Sequence, residues 1–332
     1  MPSSAKPKTA SKAKGRAPFE INGTSAPAGK LTQTELRVSR LPTGMWSSLP
    51  VGVLHGAKPG PVIWISAAIH GDELNGIPII RHVLDRIDPR HLSGTVLAVP
   101  VINVLGVIQE SRYLPDRRDL NRCFPGSKRG SAASQLAHLF MSEIVARCEV
   151  GLDLHTGSGG RTNLPQLRCD LEDATTLRLA KEFGAPLLMH ARLRDGSLRW
   201  AAAELGKKVL LYEAGEANRF DAEAIDVGSA GVLRVMEALE MVEPGLVSRP
   251  TEPRITRASS WTRAQRTGFC EMTVRLGADV REGDTVAVIF GALGRSKVQV
   301  KTKTDGVLIG HVTSPIVHRG DAIAHVAEIA GR

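Results

Sequence analysis

Short apolar runs rich in β-branched residues alternate along much of the chain with stretches in which apolar residues recur every three or four positions. The first pattern is that of buried strands, the second that of one-sided helices. Strand-length runs occupy residues 62–67, 96–101, 150–154, 186–189 and 209–212. Between them, residues 75–87 place Ile79, Val83 and Ile87 on one helical face, and residues 131–147 do the same with Leu136, Leu139, Phe140 and Ile144. Ser197 is a predicted N-cap for a further helix, which Gly206 ends. Strands separated by helices require crossover connections. The expected fold class is therefore α/β, with a mixed, mostly parallel sheet flanked by helices.

Beyond about residue 245 the helical period stops, and Pro250 and Pro253 sit in a Ser/Thr/Arg-rich stretch that reads as a linker over 246–260. Two similar segments follow. Val280-Arg-Glu-Gly-Asp-Thr-Val-Ala-Val aligns with Val317-His-Arg-Gly-Asp-Ala-Ile-Ala-His, and each is preceded by a Gly-led strand pattern. A doubled strand–turn–strand unit predicts a smaller all-β barrel-sandwich domain over 261–330. It resembles the biotinyl/lipoyl carrier fold. Its central connection, Gly-Ala-Leu-Gly-Arg-Ser-Lys, lacks the lysine tip that carries a prosthetic group, so a structural or gating role is expected.

The chain has 332 residues and a formal charge of +9, which at first suggests a nucleic-acid partner. Five of those nine charges lie on Lys6, Lys8, Lys12, Lys14 and Arg16, in an acid-free Ala/Ser/Pro/Lys segment expected to be a disordered tail over 1–18. Only 13 residues are aromatic, which argues against a base-stacking surface. No apolar run approaches membrane-spanning length, and the tail lacks the apolar centre of a secretory signal. The four cysteines form no C-x-x-C pair, as expected of free thiols in a reducing compartment. A soluble, cytoplasmic protein without a membrane partner is expected.

Chemistry-bearing residues collect at the predicted strand ends. His70 and Glu73 follow the 62–67 strand, and His155 ends the 150–154 strand ahead of a Gly-rich loop. Open α/β sheets bind ligands at that edge, and imidazoles with a carboxylate are the usual protein ligands of a catalytic zinc ion. Asp153, two residues before His155 on the same face, is placed to orient a ligand. His325-x-x-Glu328 has the His70–Glu73 spacing, but it lies in a predicted strand, where such positions face opposite sides. Glu213 ends the 209–212 strand, an uncommon place for a carboxylate, and is the candidate base for a metal-bound water; Glu216 competes with it. Residues 112–122 hold four arginines in a Pro/Gly-bounded loop suited to carboxylate recognition and to a developing oxyanion.

Taken in order, these motifs resemble the succinylglutamate desuccinylase/aspartoacylase family, relatives of zinc carboxypeptidases. The resemblance rests on His70-x-x-Glu73, Asp119-Leu-Asn121-Arg122-x-Phe124-Pro-Gly, His155 and Glu213-x-Gly215, and covers about residues 45–245. It implies a catalytic domain over 19–245 with one Zn2+ on His70, Glu73 and His155, and Glu213 as general base. Arg112 would lie by the scissile carbonyl, and Asn121 with Arg122 would hold a substrate carboxylate. The implied activity is hydrolysis of an N-acyl amino acid, or related small carboxylated amide, by a metal-activated water. Two departures bear on the substrate: Asp72 stands where Asn is common, and Asn103-Val104 replaces a frequent Asn-Pro. The same residues would serve a zinc carboxypeptidase on short peptides. A basic nucleic-acid-binding protein is the rival from another class, and homo-oligomerisation stays open.

Overall fold

Four strands run parallel through the centre of a large sheet, in the order Lys208–Glu216, Val150–Gly157, Lys58–Ala67 and Ser93–Val99. The computed structural model describes residues 15–249, 251–294 and 296–329. Every position of Val150–Gly157 is buried, as a central parallel strand covered on both faces requires. Side-chain alternation sends Ile63, Ile65, Leu152, Leu154 and Leu210 to one core, beneath helices Gly76–Arg86, Ala174–Phe183 and Ala222–Ala238. Trp64, Leu97 and Val209 point the other way, toward helices Ala132–Glu143 and Leu198–Glu204. Each fully buried large apolar side chain contributes about 1.5–3 kcal/mol.

The flanks are antiparallel. On one side Trp46–His55 and Lys30–Arg40 form a long hairpin against Ser93–Val99. On the other, Arg161–Cys169 runs antiparallel to Lys208–Glu216, and there the sheet forks. The outer edge of Arg161–Cys169 takes Leu187–His190 in parallel along Gln166–Cys169, and Gly306–Val312 antiparallel along Arg161–Asn163. The C-terminal strands thus continue the central sheet.

Those C-terminal strands carry the internal repeat. Gly268–Met272 pairs with Ile316–Val317, and Gly306–Val312 pairs with Asp279–Val280, so each half lends its first strand to the short middle strand of the other. The equivalent turns close identically. Asp284 accepts from the Arg281 amide at 2.8 Å, and Asp321 accepts from the His318 amide at 2.7 Å. Val286, Ile289, Leu308, Val317, Ile323 and Val326 fill the space between the two layers.

Of the tail expected over 1–18, residues 1–14 lie outside the described residues, whereas Arg16 donates to the carbonyls of Gly56 and Gly94 at 3.0 and 2.8 Å. Within the stretch expected as a linker, Arg254–Thr256 adds in parallel to Leu187–His190, and Ala258–Arg263 pairs with Ala322–Glu328. Among the described residues, no helix is long and apolar enough to cross a membrane.

Candidate metal and catalytic site

The site forms where the central strands end. Lys58–Ala67 stops at Ala67, and Ala68 turns the chain in the left-handed region at φ 49°. That conformation costs a non-glycine residue on the order of 1–3 kcal/mol. It is held by the amides of Ile102 and Asn103, which donate to the carbonyls of Ala67 and Ala68 at 3.1 and 2.9 Å. Gly71 then passes so close to Gly106 that a Cβ would lie 2.0 Å from the Gly106 carbonyl carbon. This tight turn delivers both His70 and Glu73 to the sheet edge.

His155 reaches the same point from the neighbouring strand. Ligand atoms of His70, Glu73 and His155 lie within 4.8 Å of one another, and all three residues are buried. The Glu73 carboxylate sits between the rings, 2.7 Å from His70 Nδ1 and 2.8 Å from His155 Nδ1, and it accepts from the Thr156 amide at 3.1 Å. Each ring is held from behind by a second carboxylate. His155 Nε2 lies 2.9 Å from Asp153 Oδ2, and His70 Nε2 lies 3.2 Å from Asp119 Oδ1. Ser66 donates to the other Asp153 oxygen at 2.9 Å.

Three carboxylates surround two imidazoles and the Arg112 guanidinium; with both imidazoles neutral, as ligation requires, the set carries surplus negative charge that suits a divalent cation. Histidines backed by carboxylates are the usual architecture of such sites. Burial opposes ionisation of Glu73, yet the two imidazoles hold its carboxyl well below the usual value. Burial likewise opposes charge on His155, and Asp153 and Glu73 raise it well above an ordinary imidazole. For Asp119, burial is outweighed by His70 and Arg112, which hold it below the usual carboxylate range.

Arg112 donates to Ser158 Oγ and Asp119 Oδ2 at 2.9 Å each and to Glu73 Oε1 at 3.3 Å, which fixes its guanidinium beside His70 and Glu73. Glu213 is the in-register partner of His155 on the next strand, so both side chains rise from one face of the sheet. Arg168 Nη1 lies 3.4 Å from one Glu213 oxygen, and Asn163 Nδ2 donates to the other. Glu216, the competing carboxylate, instead accepts from Thr313 at 2.7 Å and pairs with Arg219 at 3.6 Å. In the arginine loop, Arg112 and Arg122 line the cavity, while Arg117 and Arg118 are exposed. Asn121 Oδ1 accepts from the Leu198 amide, at the start of helix Leu198–Glu204, at 2.9 Å, which orients its carboxamide.

A family model described as the succinylglutamate desuccinylase/aspartoacylase catalytic domain matches residues 59–239. The chain is also 31% identical over 297 residues to an N-alpha-acetyl-L-2,4-diaminobutyric acid deacetylase of Halomonas elongata, covering 85% of this chain and 86% of that protein. The chain belongs to the succinylglutamate desuccinylase/aspartoacylase family. Its fold matches a crystal structure of a family protein from Rhodobacter sphaeroides at a TM-score of 0.82 and 26% identity, over 91% of this chain and 96% of that one. It also matches the product-bound ectoine utilization protein EutE (DoeB) of Ruegeria pomeroyi, at a TM-score of 0.82 and 22% identity, over 94% and 99% of the two chains.

Beyond the motif residues of the family, the structure brings in side chains that local pattern did not indicate. A cavity of about 330 Å³ in front of His70, Glu73 and His155 is lined also by Arg161, Arg168, Arg192, Arg194, Arg199 and Trp261. Trp261 comes from the C-terminal strands, with its ring stacked on His325 at 4.4 Å and the Arg161 guanidinium 5.5 Å above it. Arg199 Nη1 and Arg168 Nε are buried without a hydrogen-bond partner among the described residues. The wall is thus strongly cationic and holds unsatisfied donors. One signal was available in sequence: Arg192, Arg194 and Arg199 cluster just after a predicted strand end.

Proposed function

We propose that this protein is a zinc-dependent amidohydrolase that removes the acyl group from an N-acyl amino acid or a similar small carboxylated amide. The observation that carries the reading is the convergence of His70, Glu73 and His155, backed by Asp119 and Asp153, at the floor of an arginine-lined cavity that also holds Glu213. Zinc bound by those three side chains would supply a Lewis acid and an acidified water at neutral pH. Arg112, already tethered by Asp119 and Glu73, places a fixed positive charge where the carbonyl oxygen becomes anionic. Glu213 takes the proton of the attacking water and returns it to the departing amine. Arg122 and the oriented carboxamide of Asn121 hold the substrate carboxylate, with a planar guanidinium suited to two-point recognition.

The Halomonas relative acts on an acetylated diamino acid, so acetyl transfer to water is one activity to test here. A panel of N-acetyl and N-succinyl amino acids, N-acetyl-diaminobutyrate and dipeptides, read by amine release, tests the substrate class. Preferential cleavage of dipeptides would replace the deacylase reading with the carboxypeptidase one. Glu213→Gln is expected to retain near-stoichiometric zinc while turnover falls by about 10²–10⁴. Wild-type turnover in that variant would remove Glu213 from the role of base.

A further inference from the structure

Asn163 and Arg168 both reach Glu213, although they are five residues apart on one strand, where simple alternation would put them on opposite faces. A β-bulge resolves this. Along Lys208–Glu216 the register advances two residues from Glu213 to Gly215, while the partner strand advances three, from Gln166 to Asn163. The extra residue falls at Leu164-Pro165, where proline has no amide to lose from the ladder. Asn163 is thereby turned to the Glu213 face and buried.

Asn163 is flanked in register by two glycines, Gly215 on the catalytic side and Gly310 on the C-terminal strand Gly306–Val312. A Cβ on Gly310 would lie 2.7 Å from Asn163 Oδ1 and 3.2 Å from the Thr162 carbonyl oxygen. The carboxamide therefore lies over the bare backbone of Gly310, its oxygen toward that strand and its nitrogen on Glu213. A residue contributed through the C-terminal β region sets the clearance for the group that holds the base.

We propose that Asn163 is a positioning residue for Glu213, and that the C-terminal β region acts on the reaction through Gly310, whose missing side chain keeps the Asn163 carboxamide in place. This rests on the assignment of Glu213 as base. The groups around Glu213 are Arg168 and Asn163 on one neighbouring strand and His155 on the other. Of these, Asn163 is the contact that depends on the C-terminal strand. A methyl at position 310 meets the end of a side chain first, so the Asn163 carboxamide, rather than the backbone, is what moves.

The test uses the full-length, zinc-loaded protein and the N-acyl amino acid of the panel that is cleaved fastest. Loss of one hydrogen bond to a charged group predicts a fall of about tenfold in kcat for Gly310→Ala. KM and zinc content should stay within about twofold of the wild type, since Arg112, Asn121, Arg122 and the three metal-site residues are left unaltered. Asn163→Leu, which removes the donor without crowding the strand, should give the same fall, and the double variant no further loss. Independently of any substrate, the Asn163 side-chain amide, assigned by its disappearance in Asn163→Leu, should show a downfield proton that Gly310→Ala shifts upfield. Wild-type kcat and an unchanged amide signal in Gly310→Ala, or additive losses in the double variant, overturn the proposal. Full turnover in Glu213→Gln defeats the base assignment; an inactive Glu213→Gln beside a fully active Asn163→Leu defeats this inference alone.

Discussion

Replacing Asp153 by asparagine isolates the electrostatic part of ligand support. Asp153 is 1% exposed, and its two oxygens are shared between Ser66 Oγ and His155 Nε2, each at 2.9 Å. Asparagine has the same shape. Its amide oxygen can face His155 Nε2 while its nitrogen donates to the Ser66 hydroxyl, which accepts as readily as it donates. Packing and hydrogen-bond count are then preserved, and what is lost is the negative charge behind the imidazole that makes its other nitrogen a stronger ligand. Loss of such a partner costs about 10–100-fold in metal affinity, equivalent to roughly 1.4–2.8 kcal/mol. Competition with a chromophoric chelator at neutral pH, on protein stripped and reloaded with zinc, measures this directly. Asp153→Ala should bind more weakly still, because it also strands the Ser66 hydroxyl and the ring nitrogen in a buried place. Wild-type zinc affinity in Asp153→Asn would refute the ligand role assigned to His155, and equal losses in both variants would refute the charge argument.

Two predictions concern acid stability. Asp173 caps helix Ala174–Phe183 through the Thr176 amide at 2.8 Å and is lowered to about 2, chiefly by its hydrogen bond from Lys208. A depressed carboxyl stabilises the fold above its ordinary value of 3.8 and loses that contribution as pH falls toward about 2. Asp173→Ala should therefore cost about 1 kcal/mol at neutral pH and flatten the acid limb of a melting-temperature series. His325 is pushed down to about 3 by burial, with Arg168 adding to the effect. Between about 3 and 6.5 the unfolded chain binds a proton that the folded one does not, so stability is lost as pH falls through that window. His325→Phe keeps a ring stacked on Trp261 and should melt at more similar temperatures at pH 7 and pH 5 than the wild type; an unchanged difference would count against His325 as the source.

Several site residues were legible because their placement is a local matter. A largely apolar run that meets a histidine or glutamate, as at His155 and Glu213, announces both its burial and its approach to the sheet edge, although the strands themselves run on to Gly157 and Glu216. The repeated Gly-Asp turns of the C-terminal strands were readable for the same reason: turn chemistry spans three or four residues. Asp119 was different. Its place in the loop motif was visible, but its role behind His70 required a contact across 49 residues. Strand Arg161–Cys169 escaped notice because Pro165 and its polar residues break the alternation by which a strand is recognised. It is nonetheless the strand that supplies Asn163 and Arg168 and joins the two parts of the sheet.

What the sequence by itself determined was the alternation of central strands with helices, the parallel centre it implies, and the His70, Glu73, His155 and Glu213 candidate set at the ends of apolar runs. These follow from side-chain periodicity and from residues that act within one turn of their own backbone. Only the tertiary structure decided which carboxylate backs which histidine, that Glu213 rather than Glu216 faces the cavity, and that Trp261 from the C-terminal strands closes its wall. Those outcomes depend on pairing register and on one extra residue at a bulge. A one-residue change of register sends a side chain to the opposite face, and nothing in the local pattern of an irregular, half-polar strand specifies it.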